Sequence, residues 1–280
     1  FRWETTDEIQ FCFEQGGTAD KNTANVTAVS ADGKTAQFTV TVPAGIDVGN
    51  PYTLYAYRSS RKSEITTGSV LDPITPTVAV LPAAQFNYQA TLADHATVFS
   101  LWSKKVIDPA MTTISLSFKH LGSMMTLNLK NVGSATISDL HSIVLQTNPS
   151  QNWIINRLNG NGGALFDMAA ETYVGGSEQF STTLTFFTPS ATLAPDEVGT
   201  YYLWFVPKTD IAAFDLMLAS LKSPGTPSDI TGLTNVNKSI TRSLQTGKNY
   251  LLFATIENDE STTPPRPYLL KFTDSTFIAP

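Results

Sequence analysis

Three histidines, His95, His120 and His141, are the natural places to look for acid–base or metal chemistry, and they show no close spacing with one another. Short fixed spacings are what bring imidazoles onto one metal ion or one proton, and none is present. His120 follows Phe118 on the core-facing side of a strand pattern. A hydrogen-bonded structural histidine is the reading for that position. Ser59-Ser60-Arg61-Lys62 has the Ser-x-x-Lys spacing of penicillin-recognising serine enzymes. That chemistry needs a helix to return the lysine to the serine, and companion Ser-Asp-Asn and Lys-Thr-Gly motifs. Here the segment follows a strand and the companions are missing, so the match is one of chance. Asn159-Gly160-Asn161-Gly162-Gly163 is glycine-rich, but Ala164-Leu165-Phe166 supplies neither the Lys-Ser/Thr pair nor the helix start of a phosphate loop. It reads as a surface loop. Glu257, Asp259 and Glu260 could attract calcium but lack the alternating oxygen ligands that wrap the ion, and they read as a solvated acidic loop. Neither Gly-x-Ser-x-Gly nor His-Glu-x-x-His occurs. The residues therefore offer no catalytic constellation, no cofactor-binding motif and no metal set. The separation of a carboxylate pair for glycoside hydrolysis is a three-dimensional quantity that spacing does not fix.

The aromatic residues are the other candidates. Tyr52, Tyr55 and Tyr57, with Trp3, Trp102, Trp153 and Trp204, could stack on sugars. In strands such side chains more often fill a core or pair across strands. Asn25-Val26-Thr27 and Asn237-Lys238-Ser239 fit the N-glycosylation pattern.

The elements that must position these residues are strands. The chain has 280 residues, 41% hydrophobic and 15% charged, with a net charge of −6. Ordinary domains are about 25% charged; here Thr, Ser, Asn and Gly take the place of Lys and Glu, which argues against a helical protein. Ample apolar residues argue against disorder. The charge is evenly spread, 8 basic against 11 acidic residues up to Asp108 and 10 against 13 beyond it. No basic face emerges for nucleic acid or an anionic membrane surface. A single cysteine, Cys12, excludes an intrachain disulfide and a cysteine zinc site. No apolar run approaches the ~18 residues of a membrane-spanning helix.

Ile9, Phe11 and Phe13 share one face of a strand over Asp7–Glu14. Val26–Val42 reads as a hairpin about a two-residue Asp32-Gly33 turn with both positions at φ > 0. Beyond the turn Ala36, Phe38, Val40 and Val42 alternate with Gln37, Thr39 and Thr41 until Pro43 ends the pairing. Strands also fit Tyr52–Tyr57, Thr77–Leu81, Thr97–Val106 and Met124–Leu129. Ile114, Leu116, Phe118 and His120 fall on one face of another strand. Further strands fit Ile137–Gln146, Ser181–Phe187, Tyr201–Val206, Ser239–Leu244, Tyr250–Ile256 and Tyr268–Phe272. Asp210–Leu221 fits either an amphipathic helix or a buried strand from Phe214, and strand neighbours tip the reading towards strand. Short strands at such spacing indicate an all-β sandwich or barrel architecture. Asp108-Pro109 separates two strand-rich blocks, giving domains 1–108 and 109–280. Pro264-Pro265-Arg266-Pro267 makes an extended hinge before a terminal strand, at 264–280.

Four landmarks in order resemble the fimbrillin-like (minor-fimbria-like) surface proteins of anaerobic Gram-negative bacteria. Trp3, Asp7 and Ile9 resemble the family's opening, and Tyr52-Thr53-Leu54-Tyr55-Ala56-Tyr57 its Tyr-x-x-Tyr-Ala-Tyr strand. Leu116-Ser117-Phe118-Lys119-His120-Leu121, running into Met125-Thr126-Leu127-Asn128-Leu129, resembles the strand pair that opens the second domain. Leu244-Gln245-Thr246-Gly247-Lys248-Asn249-Tyr250 resembles the late Gly-x-x-Tyr strand entry. Glu8 stands where the family often has an aliphatic residue, and Arg58-Ser59 where it commonly has Tyr-Pro.

The resemblance implies two transthyretin-like β-sandwich domains in tandem and a structural or adhesive role in a surface fimbria rather than an enzyme. It also implies export to the cell surface or outer membrane as a lipoprotein precursor, and partners that are other fimbrial subunits, including copies of itself. An adhesive role adds a host or bacterial surface protein or glycan. Subunits of this kind are thought to join by strand exchange, in which a neighbour's C-terminal strand fills a groove opened by removal of an N-terminal one. In this sequence Tyr268, Leu270 and Phe272 alternate with polar or smaller residues and Phe277 follows, which makes Pro267–Pro280 the donor candidate. The other reading makes it the last strand of its own domain, the arrangement favoured for an isolated monomer because sequential strands usually pair locally. A surface glycan-binding module is the alternative function, and a glycan hydrolase on a β-sandwich a more distant one.

Overall fold

The structure, a computed structural model, describes residues 1–58, 78–81, 99–148, 151–157, 165–173, 178–181, 183–208, 211, 214–222, 237–240, 243–259 and 266–273. Among the described residues there are nineteen strands and no helix, so the all-β expectation holds. The chain divides into two compact units. The first takes Phe1–Ala84, Ala93–Gly122 and Asn156–Gln179, and the second Gln85–Leu92, Ser123–Ile155 and Phe180–Pro280. Asp108 lies in a turn of the first unit, where its carbonyl accepts the Met111 N–H at 2.9 Å.

The first unit is built on a six-stranded sheet. Its strands are β1 (Glu8–Gln15), β2 (Thr18–Val29), β3 (Ala36–Phe38), β4 (Tyr52–Arg58), β6 (Leu101–Ile107) and β7 (Lys119–His120), with β5 (Val78–Val80) set apart. The sheet order is β3-β2-β1-β4-β6-β7. Gly16 and Gly17, at φ 58° and 85°, form the two-residue turn that pairs Gln15 with Thr18. Only glycine takes two such angles without cost, and this twist suits a hairpin. β2 therefore starts at Thr18, ahead of the Val26 start expected from alternation.

The Asp32-Gly33 turn is wider than expected. Ser30 N–H donates to the Thr35 carbonyl at 3.0 Å, and only Gly33 has positive φ, at 69°. The Asp32 carboxylate accepts from Ser30 Oγ (2.7 Å) and Lys34 N–H (3.0 Å), so the side chain closes the loop from inside. Gly33 in turn accepts the Trp3 N–H at 2.8 Å, which docks the N-terminal segment on this loop.

Ile9, Phe11 and Phe13 lie on one face, as their spacing predicts, and are buried with Val26, Leu54, Ala56, Leu101 and Ile107. Burial of each such side chain contributes about 1.5–3 kcal/mol. Val40, Val42, Leu116 and Phe118 pack on this cluster half-buried. The opposite face of β1, β4 and β6 is buried too, at Cys12, Tyr55, Tyr57 and Trp102. A small sheet in the order β12-β11-β5, with β11 (Leu165–Asp167) and β12 (Thr172–Tyr173), belongs to the same unit. Phe166 of β11 meets Trp102 at 5.1 Å between ring centres, and Lys104 of β6 donates to the Ala169 carbonyl at 2.8 Å.

Two further sheets are built mainly from residues of the second unit. One has the order β13-β10-β15-β8-β18-β19, made from β13 (Glu178–Ser181), β10 (Ile154–Arg157), β15 (Val198–Pro207), β8 (Ser123–Asn131), β18 (Asn249–Asp259) and β19 (Arg266–Phe272). The other has the order β14-β9-β16-β17, from β14 (Thr183–Leu193), β9 (Ile137–Asn148), β16 (Phe214–Lys222) and β17 (Asn237–Ile240). The stretch open to two readings is thus a strand, β16, paired with both β9 and β17. β8 and β18 pair in parallel and the neighbouring pairs are antiparallel. Leu127, Leu129, Leu140, Leu145, Leu184, Phe186 and Trp204 are fully or almost fully buried. The sheets are consistent with tandem β-sandwiches.

Candidate functional site

The donor-strand candidate is β19. Its backbone pairs antiparallel with β18 of the same chain, Leu270 opposite Ile256 and Phe272 opposite Ala254, and Thr273 N–H donates to the Phe253 carbonyl at 2.9 Å. Tyr268 lies in the same strand, and Phe272 is half-buried. β19 is the outermost strand of its sheet, so one of its edges carries no strand partner among the described residues. Pro264 and Pro265 of the hinge and Phe277 lie outside the described residues.

A second feature was not read from the sequence. Among the described residues β3 has a strand partner, β2, on one side only. Across from it is Thr113–Phe118, which has no strand partner among the described residues. Between them lies a groove of about 550 Å³. Trp3, Phe38, Leu116 and Phe118 give it apolar walls, Ile114 stands at its rim 44% exposed, and Lys34, Gln37, Thr39 and Ser115 make it polar elsewhere. Trp3 and Phe118 meet edge to face at 5.2 Å.

The chain reaches this position for a local reason. After β6 the Asp108 carboxylate and carbonyl hold a turn through Ala110 N–H (2.8 Å) and Met111 N–H. The returning segment is tied to β6 at Ser115 by the Lys105 ammonium (2.8 Å). Only Lys119 and His120 regain a backbone ladder, opposite Trp102 and Leu101. The alternation holds from Ser115 to His120: Leu116, Phe118 and His120 are half-buried and Ser115, Ser117 and Lys119 exposed, while Ile114, expected on the same face, is exposed. The expected strand is nevertheless two residues long. A period-2 pattern reports which side chains face a core, not whether the backbone beside it is paired.

The other candidates find ordinary places. Trp3, Trp102, Trp153, Trp204, Tyr52, Tyr55 and Tyr57 are all buried, so none offers an exposed platform for a sugar. Among the described residues no group of three His, Cys, Asp or Glu could hold a metal ion. Ser59-Ser60-Arg61-Lys62, His95, Asn159–Gly163 and Glu260 lie outside the described residues. His120 packs edge-on against Phe99 at 5.6 Å, and burial holds its ring below the usual imidazole range. Asn25 is exposed on β2. Tyr250 returns its hydroxyl to Gln245, accepting from the N–H at 2.6 Å and donating to the carbonyl at 3.2 Å, which closes the Gly247 turn (φ 74°).

No family model and no curated protein matches the chain. Solved structures do. A "putative cell adhesion protein" from Bacteroides fragilis superposes with a TM-score of 0.51 at 10% identity, covering 100% of this chain and 88% of that one. A second protein so described, from Bacteroides uniformis, gives 0.49 at 16% identity over 98% and 94%. The fimbrial anchor protein Mfa2 from Porphyromonas gingivalis gives 0.40 at 8% identity over 96% and 88%. This chain has the fold of the B. fragilis protein, in agreement with the fimbrillin-like resemblance of its sequence.

Proposed function

We propose that the chain is a non-catalytic structural or adhesive subunit of a bacterial surface fimbria, exported to the cell surface and joined to its neighbours by β-strand exchange. The observation that carries this reading is the groove of the first unit, about 550 Å³ between β3 and Thr113–Phe118, neither of which has a strand partner on that side among the described residues. Such a space suits one more strand. Main-chain groups on both sides supply hydrogen bonds, and the apolar walls at Trp3, Phe38, Leu116 and Phe118 accept alternate side chains. An open edge is otherwise a liability for aggregation, which is reason to fill it. The fold shared with the B. fragilis protein supports an adhesive setting.

The donor in this proposal is the 267–280 stretch of a neighbouring copy or a related subunit, presenting Tyr268, Leu270, Phe272 and Phe277. In a lone subunit Arg266–Phe272 completes its own sheet, and the proline-rich stretch before it is the point of release. A lipid anchor in the precursor, and a host or bacterial surface protein or glycan as the adhesion target, belong to the same reading. Deletion of 264–280 tests it: cells making the shortened chain are expected to show folded monomer and no detergent-resistant polymer. Undiminished polymer would end the donor assignment.

A further inference from the structure

Trp3 closes one end of the groove. Its N–H donates to the Gly33 carbonyl at 2.8 Å, at the start of the β3 wall, and its ring meets Phe118 of the other wall edge to face at 5.2 Å. It lines the groove and is only 8% exposed. Contacts on either side of Trp3 hold it there. A Cβ on Gly33 would stand 2.9 Å from the Arg2 Cβ, so the chain before Trp3 lies directly on this loop. After Trp3, the Glu4 N–H donates to the Asp7 carboxylate at 2.9 Å and the Asp7 N–H to the Glu4 carbonyl at 3.0 Å. At the opposite end of the groove Thr39, Thr113 and Ile114 are all exposed.

The two walls run in opposite directions. Gly33 and Phe118 both meet Trp3, so β3 leads away from the closed end and Thr113–Phe118 leads towards it. The sheet agrees. Every neighbouring pair in the order β3-β2-β1-β4-β6-β7 is antiparallel, which gives the first and sixth strands opposite senses. A single strand placed between the walls is therefore antiparallel to one and parallel to the other. On β3 the carbonyls of Thr35 and Gln37 are taken on the β2 side, by the Ser30 N–H and by Thr27 Oγ1, each at 3.0 Å. Main-chain groups alternate in direction along a strand, which turns those of Ala36 and Phe38 towards the groove.

We infer that Trp3 sets the direction of the strand that enters the groove: the occupant comes in past Ile114 and runs antiparallel to β3, towards the Trp3 ring. The inference rests on the groove being the acceptor for the 267–280 stretch of a second copy. In that copy a folded body precedes residue 267. A folded body has no room at a closed end, so it stays on the Thr39 and Ile114 side. The residues just after 267 then lie at the open end and later ones nearer Trp3. This direction also places the antiparallel ladder, the slightly more stable kind, on the Ala36 and Phe38 groups of β3.

The test is disulfide mapping in polymer made by the full chain, in a Cys12→Ala background that removes the one native thiol. One cysteine replaces Thr39, at the open end, or Lys34, at the closed end; both line the groove and are exposed. A second is moved in turn along positions 268–278, and bridges between copies are identified by mass spectrometry. The donor positions that bridge to Thr39→Cys are expected to precede those that bridge to Lys34→Cys, by about five residues in a regular antiparallel ladder. With Trp3→Ala added, both orders are expected. Trp3→Phe, which keeps a ring against Phe118, is expected to restore the single order. The map with Trp3 intact decides the direction even if Trp3→Ala fails to fold. The reverse order, or a mixture of orders with Trp3 present, overturns the inference and leaves the acceptor reading standing. So does a single order that persists in a folded Trp3→Ala chain. Bridges at neither wall position remove the acceptor reading, and the inference with it.

Discussion

Asp7 and Arg58 form a fully buried ion pair, 2.9 Å apart, between the loop before β1 and the end of β4. One carboxylate oxygen takes both the Nε (3.2 Å) and the Nη2 (2.9 Å) of the guanidinium, and the other takes the Glu4 N–H at 2.9 Å. Nη1 is bound to the Phe99 carbonyl. Removing each ion from water costs several kcal/mol, so a pair like this persists only when its donors and acceptors are used. Here they tie three separated stretches, residues 4–7, β4 and the entry to β6, around the N-terminal aromatic cluster of Phe1, Trp3 and Phe99.

Asp7→Ala is expected to lower stability by about 3–5 kcal/mol, because a buried guanidinium is left without its counter-ion. The urea midpoint of the first unit's unfolding transition is the measure. Replacing both partners, Asp7→Leu with Arg58→Met, is expected to recover most of the loss, since no charge then stays buried. A single-variant loss below about 1 kcal/mol would show that solvent reaches the pair.

The cover on the other face of the first unit yields a second prediction. Phe166 touches Trp102 and also Tyr173, at 5.3 Å. Phe166→Ala is expected to cost about 3–5 kcal/mol, as for other large core truncations. For the same reason a fragment of residues 1–122, which lacks Asn156–Gln179 of its own unit, is expected to expose Trp102 and Tyr55. Dye binding and rapid alkylation of Cys12, the cross-strand neighbour of Tyr55, would report it. A fragment that keeps Cys12 inert would show that β11 and β12 are not needed as a cover.

Much of this could be read from residue order, and the exceptions share a cause. Ile9, Phe11 and Phe13 alternate and are buried together because side-chain period and core face are the same thing in a strand. Phe214–Lys222 resolves as a strand because β9 and β17 offer partners on both sides, which local periodicity does not contain. The groove was illegible for the same reason. Thr113–Phe118 has the pattern of a paired strand but no strand partner among the described residues; the Asp108 turn and the Lys105 tether hold it where it lies. Gly16-Gly17 was a legible hairpin signal that the apolar pattern obscured, since the β2 residues after it are mostly exposed.

Alkaline pH gives a third expectation. Burial, with Glu14 nearby, pushes the Cys12 thiol up from 9.0 to about 12, and burial raises the hydroxyls of Tyr55 and Tyr57 above the ordinary 10.0. In each case the protonated form favours the folded state, so stability is intact below the unfolded value and declines as the pH rises above it. The first unit is therefore expected to weaken from about pH 9, where the unfolded chain ionises Cys12 and the folded chain does not. In Cys12→Ala the onset should move up by roughly one pH unit, to where the tyrosines begin. Unfolding midpoints in urea from pH 8 to 11 check this, and coincident curves for the two proteins would refute it.

Ile114 provides the sharpest test of the groove, because its site and its stability cost can be separated. The side chain is 44% exposed at the rim and stands outside the apolar cluster that Leu116 and Phe118 join. Substitution at such a position ordinarily changes stability by no more than about 0.5 kcal/mol. Ile114→Lys should therefore leave the urea midpoint where it was. It does, however, place an ammonium on a long stem beside the path that an incoming strand would follow, and desolvating that charge opposes docking. Polymerisation in cells is expected to fall severalfold while the amount of folded monomer is unchanged. Ile114→Val, which keeps the rim apolar, should polymerise like the wild type. If the lysine variant polymerises normally, the incoming strand does not pass between β3 and Thr113–Phe118, and the acceptor edge must be sought elsewhere, first at the outer edge of β19.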